Sequence, residues 1–124
     1  MKHKVSELTG ALLDAAVAKA SGMSFTLEGF GKLAHLAPQC WNNDGEFDEE
    51  RGDRYARFCP STSWGDGGPI IERERIDMHW NRDIGLWEAI AGYDIAFLQR
   101  RGPTLLSAAM RAYVASRLGD EVEL

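Results

Sequence analysis

The chain has 124 residues, 44% of them hydrophobic and 27% charged, which is the composition of a single globular domain rather than of a disordered segment. Its net charge of −5 disfavours direct binding to the phosphate backbone of a nucleic acid, although Arg100 and Arg101 form a local basic cluster. No apolar run reaches the roughly 20 residues that a membrane-spanning helix needs, so we expect no membrane association.

The N-terminus and the two cysteines indicate the cellular compartment. The basic N-terminus is not followed by the long apolar segment of a secretory signal, which predicts a cytoplasmic protein. In a reducing cytoplasm Cys40 and Cys59 are expected to be free thiols.

The first predicted elements are a short strand at residues 5–8 and a helix at residues 10–21. Thr9 has the hydroxyl expected of an N-cap residue, and Gly22 is placed to end the helix. Four apolar residues of this helix have the spacing of one buried stripe: Leu13, Ala16, Val17 and Ala20.

The next part of the chain offers weak strand signals and one superficial motif. Residues 25–27 and 55–59 have strand character. Residues 29–34 resemble a dinucleotide-binding fingerprint, but Pro38 leaves no room for the helix that must follow it.

Residues 42–53 are acidic and rich in turn formers, which predicts a surface loop. If Gly45 is the sixth position of a calcium-binding EF-hand loop, Cys40 and Arg51 occupy the first and twelfth positions. Neither supplies the carboxylate required there, so the segment is not an EF-hand.

Residues 60–69 are dominated by small polar residues and glycines around a single Trp64, and they predict a loop. Residues 70–76 alternate with charges on both faces, which indicates an edge strand. Residues 86–91 predict a further strand, and residues 92–101 stay open between a helical turn and a loop.

A second helix is predicted at residues 103–118, with Pro103 at its first position and Gly119 at its end. Residues 120–124 are expected to return as a short strand. The sequence therefore predicts one α+β domain over residues 1–124, in which two main helices pack on a small, mostly antiparallel sheet.

Three blocks of this sequence resemble the phage NinX-like family. The first is Glu7-Leu8-Thr9-Gly10-Ala11-Leu12-Leu13-Asp14. The second is Pro60-Ser61-Thr62-Ser63-Trp64 with Gly67-Gly68-Pro69-Ile70-Ile71-Glu72-Arg73-Glu74. The third is Gly102-Pro103-Thr104-Leu105 with residues 108–116. The chain departs from the family's pattern at Gly65-Asp66 and in its acidic 42–53 segment.

The resemblance implies a small accessory protein of tailed phages or prophages, made in the cytoplasm of the bacterial host. It implies no reaction, no cofactor and no catalytic residues. The residues themselves agree, since the chain has no P-loop, no nucleophile elbow and no cysteine or histidine spacing typical of a metal site.

The strongest candidate for a functional site is the segment around Trp64. Its glycines free backbone amides, Trp64 offers a stacking face, and an arginine follows on the next predicted strand. The predicted ligand-binding residues are Ser61, Thr62, Ser63, Trp64, Asp66, Gly67, Gly68 and Arg73. The alternative is that Trp64 fills the core and the glycines only allow the chain to turn.

These features favour a protein that acts by binding a host protein, a phage protein or a small molecule, with sequestration of a host signalling nucleotide as one form. The alternative is a small hydrolase or transferase that uses Asp66 or Glu72. Four Trp, five Phe and three Tyr also predict a homo-oligomer, because aromatic-rich surfaces often form interfaces.

Overall fold

Three α-helices and eight strands make up the part of the chain that the computed structural model describes, which is residues 1–26, 38–48, 53–92 and 98–124. The helices are α1 (Gly10–Ala20), α2 (Trp64–Glu74) and α3 (Leu105–Leu118), and a 3-10 turn spans Val5–Glu7. The strands are β1 (Lys2–Lys4), β2 (Phe25–Thr26), β3 (Gln39–Asp48), β4 (Asp53–Arg57), β5 (Asp77–Asn81), β6 (Leu86–Ala91), β7 (Leu98–Gly102) and β8 (Glu121–Glu123).

All strand pairs in these described ranges are antiparallel. Strands β5, β6 and β7 form one sheet in chain order, and β2, β3 and β4 form a second. The short pair β1–β8 joins the two ends of the chain. The α+β class, with its helices packed on antiparallel sheet, is therefore confirmed.

Helix α3 is the centre of the core. Most of its surface is buried because it contacts α1 and α2 as well as strands β6 and β7. Its many alanines let the neighbouring elements approach closely, while Met110 and Tyr113 fill the larger gaps.

Gly102 sets the distance between β7 and α3. A Cβ atom there would lie 2.4 Å from Ser107 Oγ and 2.7 Å from the Ala108 backbone nitrogen. Only glycine fits this position, so the turn into α3 is tight.

The two predicted helices are confirmed with small changes, since α1 ends at Ala20 rather than at residue 21 and α3 begins at Leu105 rather than at residue 103. The whole predicted stripe of α1 is buried, and Gly22 follows the helix with a φ of +70°. Thr9 occupies the N-cap position of α1 without a capping hydrogen bond from its side chain. Helix α3 begins after Thr104, which caps it together with Ser107, so Pro103 precedes the helix rather than opening it.

The predicted strand at residues 70–76 is wrong, because most of it belongs to α2. Gly67, Ile70 and Ile71 lie at helical spacing and face the core, with Ile70 only 4% exposed. The alternating charges at residues 72–75 have the two-residue period of a strand. The apolar residues of the segment instead recur with the 3.6-residue period of a helix, and their burial favours the helix.

Three other expectations also need correction. Residues 5–7 form a 3-10 turn instead of a strand. The segment 42–53, predicted as a loop, includes residues of β3 and the start of β4, and the two strands pair with a register shift between Trp41 and Glu46. For residues 92–101 the sequence favoured neither a helical turn nor a loop, and the end of this stretch forms strand β7.

Strands β6 and β8 confirm the strands predicted at 86–91 and within 120–124. Strand β2 confirms the start of the predicted strand at 25–27, and β4 covers part of the one at 55–59. The fingerprint-like residues 29–34 lie outside the described residues.

Candidate functional site

The predicted loop at residues 60–69 is a short turn followed by the first half of α2. The backbone amides of Thr62 and Ser63 both donate to the Cys59 carbonyl, at 3.1 and 2.8 Å. Ser63 then takes the N-cap position, where its carbonyl accepts the Gly67 amide at 2.8 Å. The glycines therefore belong to a helix and not to an open loop.

Gly67 is where α2 packs most closely on the rest of the protein. A Cβ atom at this position would lie 2.4 Å from the Pro60 carbonyl oxygen and 2.7 Å from Leu106 Cδ2. Gly68 differs, since a Cβ there would meet only Trp64 Cε3 at an ordinary 3.8 Å. Close packing on other elements thus explains the first glycine. The second has no such tertiary constraint, but it precedes Pro69, whose ring crowds any Cβ on the residue before it in a helix.

Asp14 holds the turn before α2 from inside the protein. This α1 side chain is 3% exposed, and its Oδ1 accepts the backbone amide of Ser61 at 2.8 Å. Burial raises the pKa of Asp14, and the bond from the Ser61 amide opposes that rise only in part. The carboxyl is thus a buried acceptor whose charged form is disfavoured.

The Ser61 hydroxyl is close enough to Asp14 to lower its pKa, yet its geometry falls short of a hydrogen bond. Ser61 is 6% exposed, and its Oγ has no partner among the described residues. A buried hydroxyl without a partner is uncommon in folded proteins. Ser61 also lines a groove beside Trp64.

Asp66 and Cys59 form a second polar contact beneath the start of α2. Asp66 Oδ2 accepts the Cys59 amide at 3.0 Å and lies 3.6 Å from Cys59 Sγ. Burial, together with the negative charge of Asp66, raises the pKa of the Cys59 thiol. Cys59 is a free thiol, as predicted, but a thiol with a raised pKa is a poor nucleophile.

Trp64 stands at the surface, with 59% of its area exposed. The alternative in which it fills the core is therefore wrong. Its side chain forms one wall of a groove of about 280 Å³. The residues that line this groove, which we call the Trp64 groove, are Ser61, Thr62, Trp64, Thr104, Leu105 and Leu106.

The Trp64 groove lies between the N-terminal ends of α2 and α3. The first amides of a helix have no intrahelical acceptor, so each end carries a partial positive charge. The amides of Trp64 and Gly65 have no acceptor in the described part of the chain. The groove thus combines an aromatic wall with two leucines, and it lies next to a helix start whose first amides are unpaired.

Arg73 lies away from the Trp64 groove. It follows Trp64 by nine residues of α2, which is roughly 13 Å along a helix axis. Its guanidinium contacts Glu74 at 3.2 Å and Tyr113 Oη at 3.4 Å instead. The structure therefore divides the predicted site, and the expectation that Arg73 reaches the glycine segment is not met.

Arg73 and Arg117 both stack on the Tyr113 ring, at 5.9 and 5.5 Å from its centroid. Between them lies Glu74, which accepts Arg117 Nη2 at 2.7 Å. Burial raises the pKa of Glu74, but the bonds from Arg117 and Arg73 outweigh that effect and lower it. This cluster fixes the C-terminal end of α2 on α3.

Asp66 and Glu72 do not form a catalytic pair. They are separated by six residues of α2, about 9 Å along the axis, and Glu72 is exposed while Asp66 is bonded to Cys59. The described residues contain no group of three or more side chains placed to hold a metal ion.

Sequence comparison supports the resemblance. A profile of the family described as Bacteriophage P22, NinX matches residues 4–117, so the chain belongs to this phage protein family. A search of curated proteins returns no similar sequence. Among the described helices, none is both long and apolar enough to cross a bilayer.

Sequence reasoning missed Asp14 and the Thr104–Leu106 wall of the groove. The available sequence signal for Asp14 was a single carboxylate on the apolar stretch of the predicted first helix, among alanines and leucines. The second wall had no sequence signal, because only the fold brings α3 beside Trp64.

Proposed function

We propose that this phage-family protein is an accessory protein that acts by binding, and that its ligand is a small molecule with a planar ring. The observation that carries the proposal is the 59% exposure of Trp64 beside a groove. A large exposed aromatic next to a concave surface is the usual arrangement for stacking a ring.

The chemistry of the Trp64 groove favours a ring over a phosphate. Leu105 and Leu106 extend the apolar wall, and the hydroxyl-bearing Thr62 and Thr104 are the polar lining residues near the rim. The Asp66 carboxylate beneath α2 repels an anion, and Arg73 is directed to Tyr113. A nucleotide would therefore bind with its base on Trp64 and its phosphates outside the groove.

The alternative function, a hydrolase or transferase that uses Asp66 or Glu72, has less support. Asp66 accepts the Cys59 amide, and Glu72 is exposed on α2. Turnover of a nucleotide panel that is abolished by Asp66→Asn would favour catalysis over binding.

The binding proposal is tested with a panel of nucleosides, nucleobases and nucleotides, measured by calorimetry. Trp64→Ala is expected to abolish binding, whereas Trp80→Ala is a matched control. Trp80 is also surface-exposed, at 45%, but lies on β5 with its ring centroid 5.3 Å from that of Trp87. Equal loss of binding in both variants, or in neither, would contradict the assignment.

A homo-oligomer remains part of the proposal. Its support is the exposure of Trp64, Trp80 and Ile84, since exposed apolar side chains often mark interfaces. Light scattering at micromolar concentration that gives only a 13.8 kDa species would reject it.

A further inference from the structure

A second cavity, of about 510 Å³, lies beside the segment that leads into α3. It differs from the Trp64 groove in its charge, because three arginines line it in a protein whose net charge is −5. The side chains that matter here are Arg100, Arg101 and Arg111, with Ser6, Leu86 and Pro103. We call it the arginine cavity.

Arg111 is the unusual member of this cavity. It is only 9% exposed, and its Nε and Nη1 donate to the carbonyl oxygens of Leu8 and Arg101 at 3.0 and 2.8 Å. Both acceptors are neutral, and no carboxylate within the described ranges forms an ion pair with Arg111. A buried charge that lacks a counter-ion is costly, and the same burial lowers the pKa of Arg111.

Arg100 and Arg101 also line the arginine cavity. Each has a carboxylate partner outside the cavity lining: Arg100 pairs with the exposed Asp120, and Arg101 Nε lies 2.9 Å from Glu88 Oε2. These ion pairs orient the two side chains without filling the cavity. Three guanidinium groups therefore line a space that contains no acidic side chain among the described residues.

We propose that the arginine cavity binds the phosphate group of a small phosphorylated molecule. A planar guanidinium matches the oxygens of phosphate with paired N–H donors, and a bound anion would supply the counter-ion that Arg111 does not find among the described residues. Leu86 and Pro103 provide an apolar wall for the organic part of the ligand.

Size and charge favour a small molecule over a nucleic acid. The cavity volume falls within the roughly 300–1,000 Å³ of small-ligand sites. An extended phosphate backbone needs a continuous basic surface, whereas this protein has a net charge of −5, and acidic Asp120 and Glu121 lie beside Arg100 and Lys4 next to the cavity. The site shares no side chain with the Trp64 groove, so either proposal can fail alone.

Two kinds of titration test the proposal on the intact chain. Inorganic phosphate and ribose 5-phosphate are titrated separately by calorimetry, and the Nε–H signals of arginines are followed by ¹⁵N NMR. Both ligands are expected to bind one to one and to shift the Arg111 signal, which its bond to Leu8 protects from exchange. Tighter binding of ribose 5-phosphate than of phosphate identifies an organic phosphate as the ligand class, whereas equal binding identifies free phosphate.

Variants then assign the site. Arg100→Gln is expected to weaken binding about tenfold, as for the loss of one charge-assisted hydrogen bond. Arg111→Lys keeps the charge and is expected to weaken binding at least as much. Arg73→Gln, which removes the same charge elsewhere, is the control and is expected to bind as the wild type does.

The proposal is overturned if neither inorganic phosphate nor ribose 5-phosphate shows binding at a ligand concentration of about 10 mM. It is also overturned if Arg100→Gln and Arg73→Gln weaken binding equally, or if an oligonucleotide binds while both small phosphates do not. Should Arg111→Lys fail to fold, the Arg100→Gln result and the Arg111 signal in the wild type still decide the question.

Discussion

The contrast between Gly67 and Gly68 gives the sharpest prediction about the 60–74 segment. As part of a flexible loop, the two glycines would respond alike to alanine. In α2 they differ, because a Cβ atom at Gly67 would lie 2.4 Å from the Pro60 carbonyl oxygen, whereas one at Gly68 meets Trp64 at 3.8 Å. Gly67→Ala and Gly68→Ala are therefore a matched pair.

The expected magnitudes follow from two opposing effects. Replacing glycine by alanine inside a helix stabilises it by about 1 kcal/mol. At Gly67 this gain is exceeded by the displacement of the Pro60 carbonyl and of the buried Leu106 side chain, and such overpacking typically costs about 1–3 kcal/mol or more. We expect Gly67→Ala to destabilise the protein by about 2 kcal/mol. At Gly68 the gain in helix propensity is opposed by crowding of the new Cβ against the Pro69 ring, so Gly68→Ala should change the stability by less than about 0.5 kcal/mol.

Thermal and urea unfolding of both variants provide the assay. For a domain of this size, about 2 kcal/mol corresponds to a Tm lowered by roughly 8 °C, and the Gly68→Ala variant should melt within about 2 °C of the wild type. If the two variants have the same free energy of unfolding within about 0.5 kcal/mol, the helical packing of this segment is refuted.

Three further predictions concern buried polar groups. Because burial raises the pKa of Asp14 in the folded state, stability should fall as pH rises from the ordinary value of 3.8 through the raised pKa. Urea unfolding of the wild type and of Asp14→Asn at a series of pH values from about 3.5 upward should show this component lost in the variant, and parallel curves would exclude it. Tyr113→Phe removes a hydroxyl that lies 3.0 Å from Ser21 Oγ, and it should cost about 1–2 kcal/mol in chemical unfolding; no loss would show that this bond contributes nothing. Cys59 should react slowly with iodoacetamide because its pKa is raised, and Asp66→Asn should accelerate the reaction by removing the nearby charge, whereas an unchanged rate would refute that cause.

The sequence was sufficient for the elements whose apolar residues recur with a clear period. The stripe of α1 and the glycine that follows it fixed that helix almost to the residue, and β6 was predicted with its observed bounds. The start of helix α3 was predicted two residues early, at Pro103 instead of Leu105, because Thr104 rather than Gly102 is the N-cap.

The sequence failed where tertiary packing overrides local propensity. Residues 64–74 contain three glycines and a proline, which disfavour a helix, yet burial of Ile70 and the fit of Gly67 against α3 stabilise one. The expectation that Arg73 reaches the 60–69 segment failed with it, because in α2 Arg73 contacts Glu74 and Tyr113. The exposed Trp64 was predicted as a candidate, but its partners in α3 and the three arginines of the second cavity are assembled only by the fold.

The central claim, that the protein binds its ligand through the Trp64 groove, is tested most directly with Trp64→Ala purified from phage-infected cells beside the wild type. Native mass spectrometry reports the bound ligand, and a thermal melt of the same samples reports stability. Because Trp64 is 59% exposed, we expect a stability change of less than about 1 kcal/mol together with loss of the ligand. A destabilisation of about 3–5 kcal/mol, or a variant that retains the wild-type ligand, would contradict the claim.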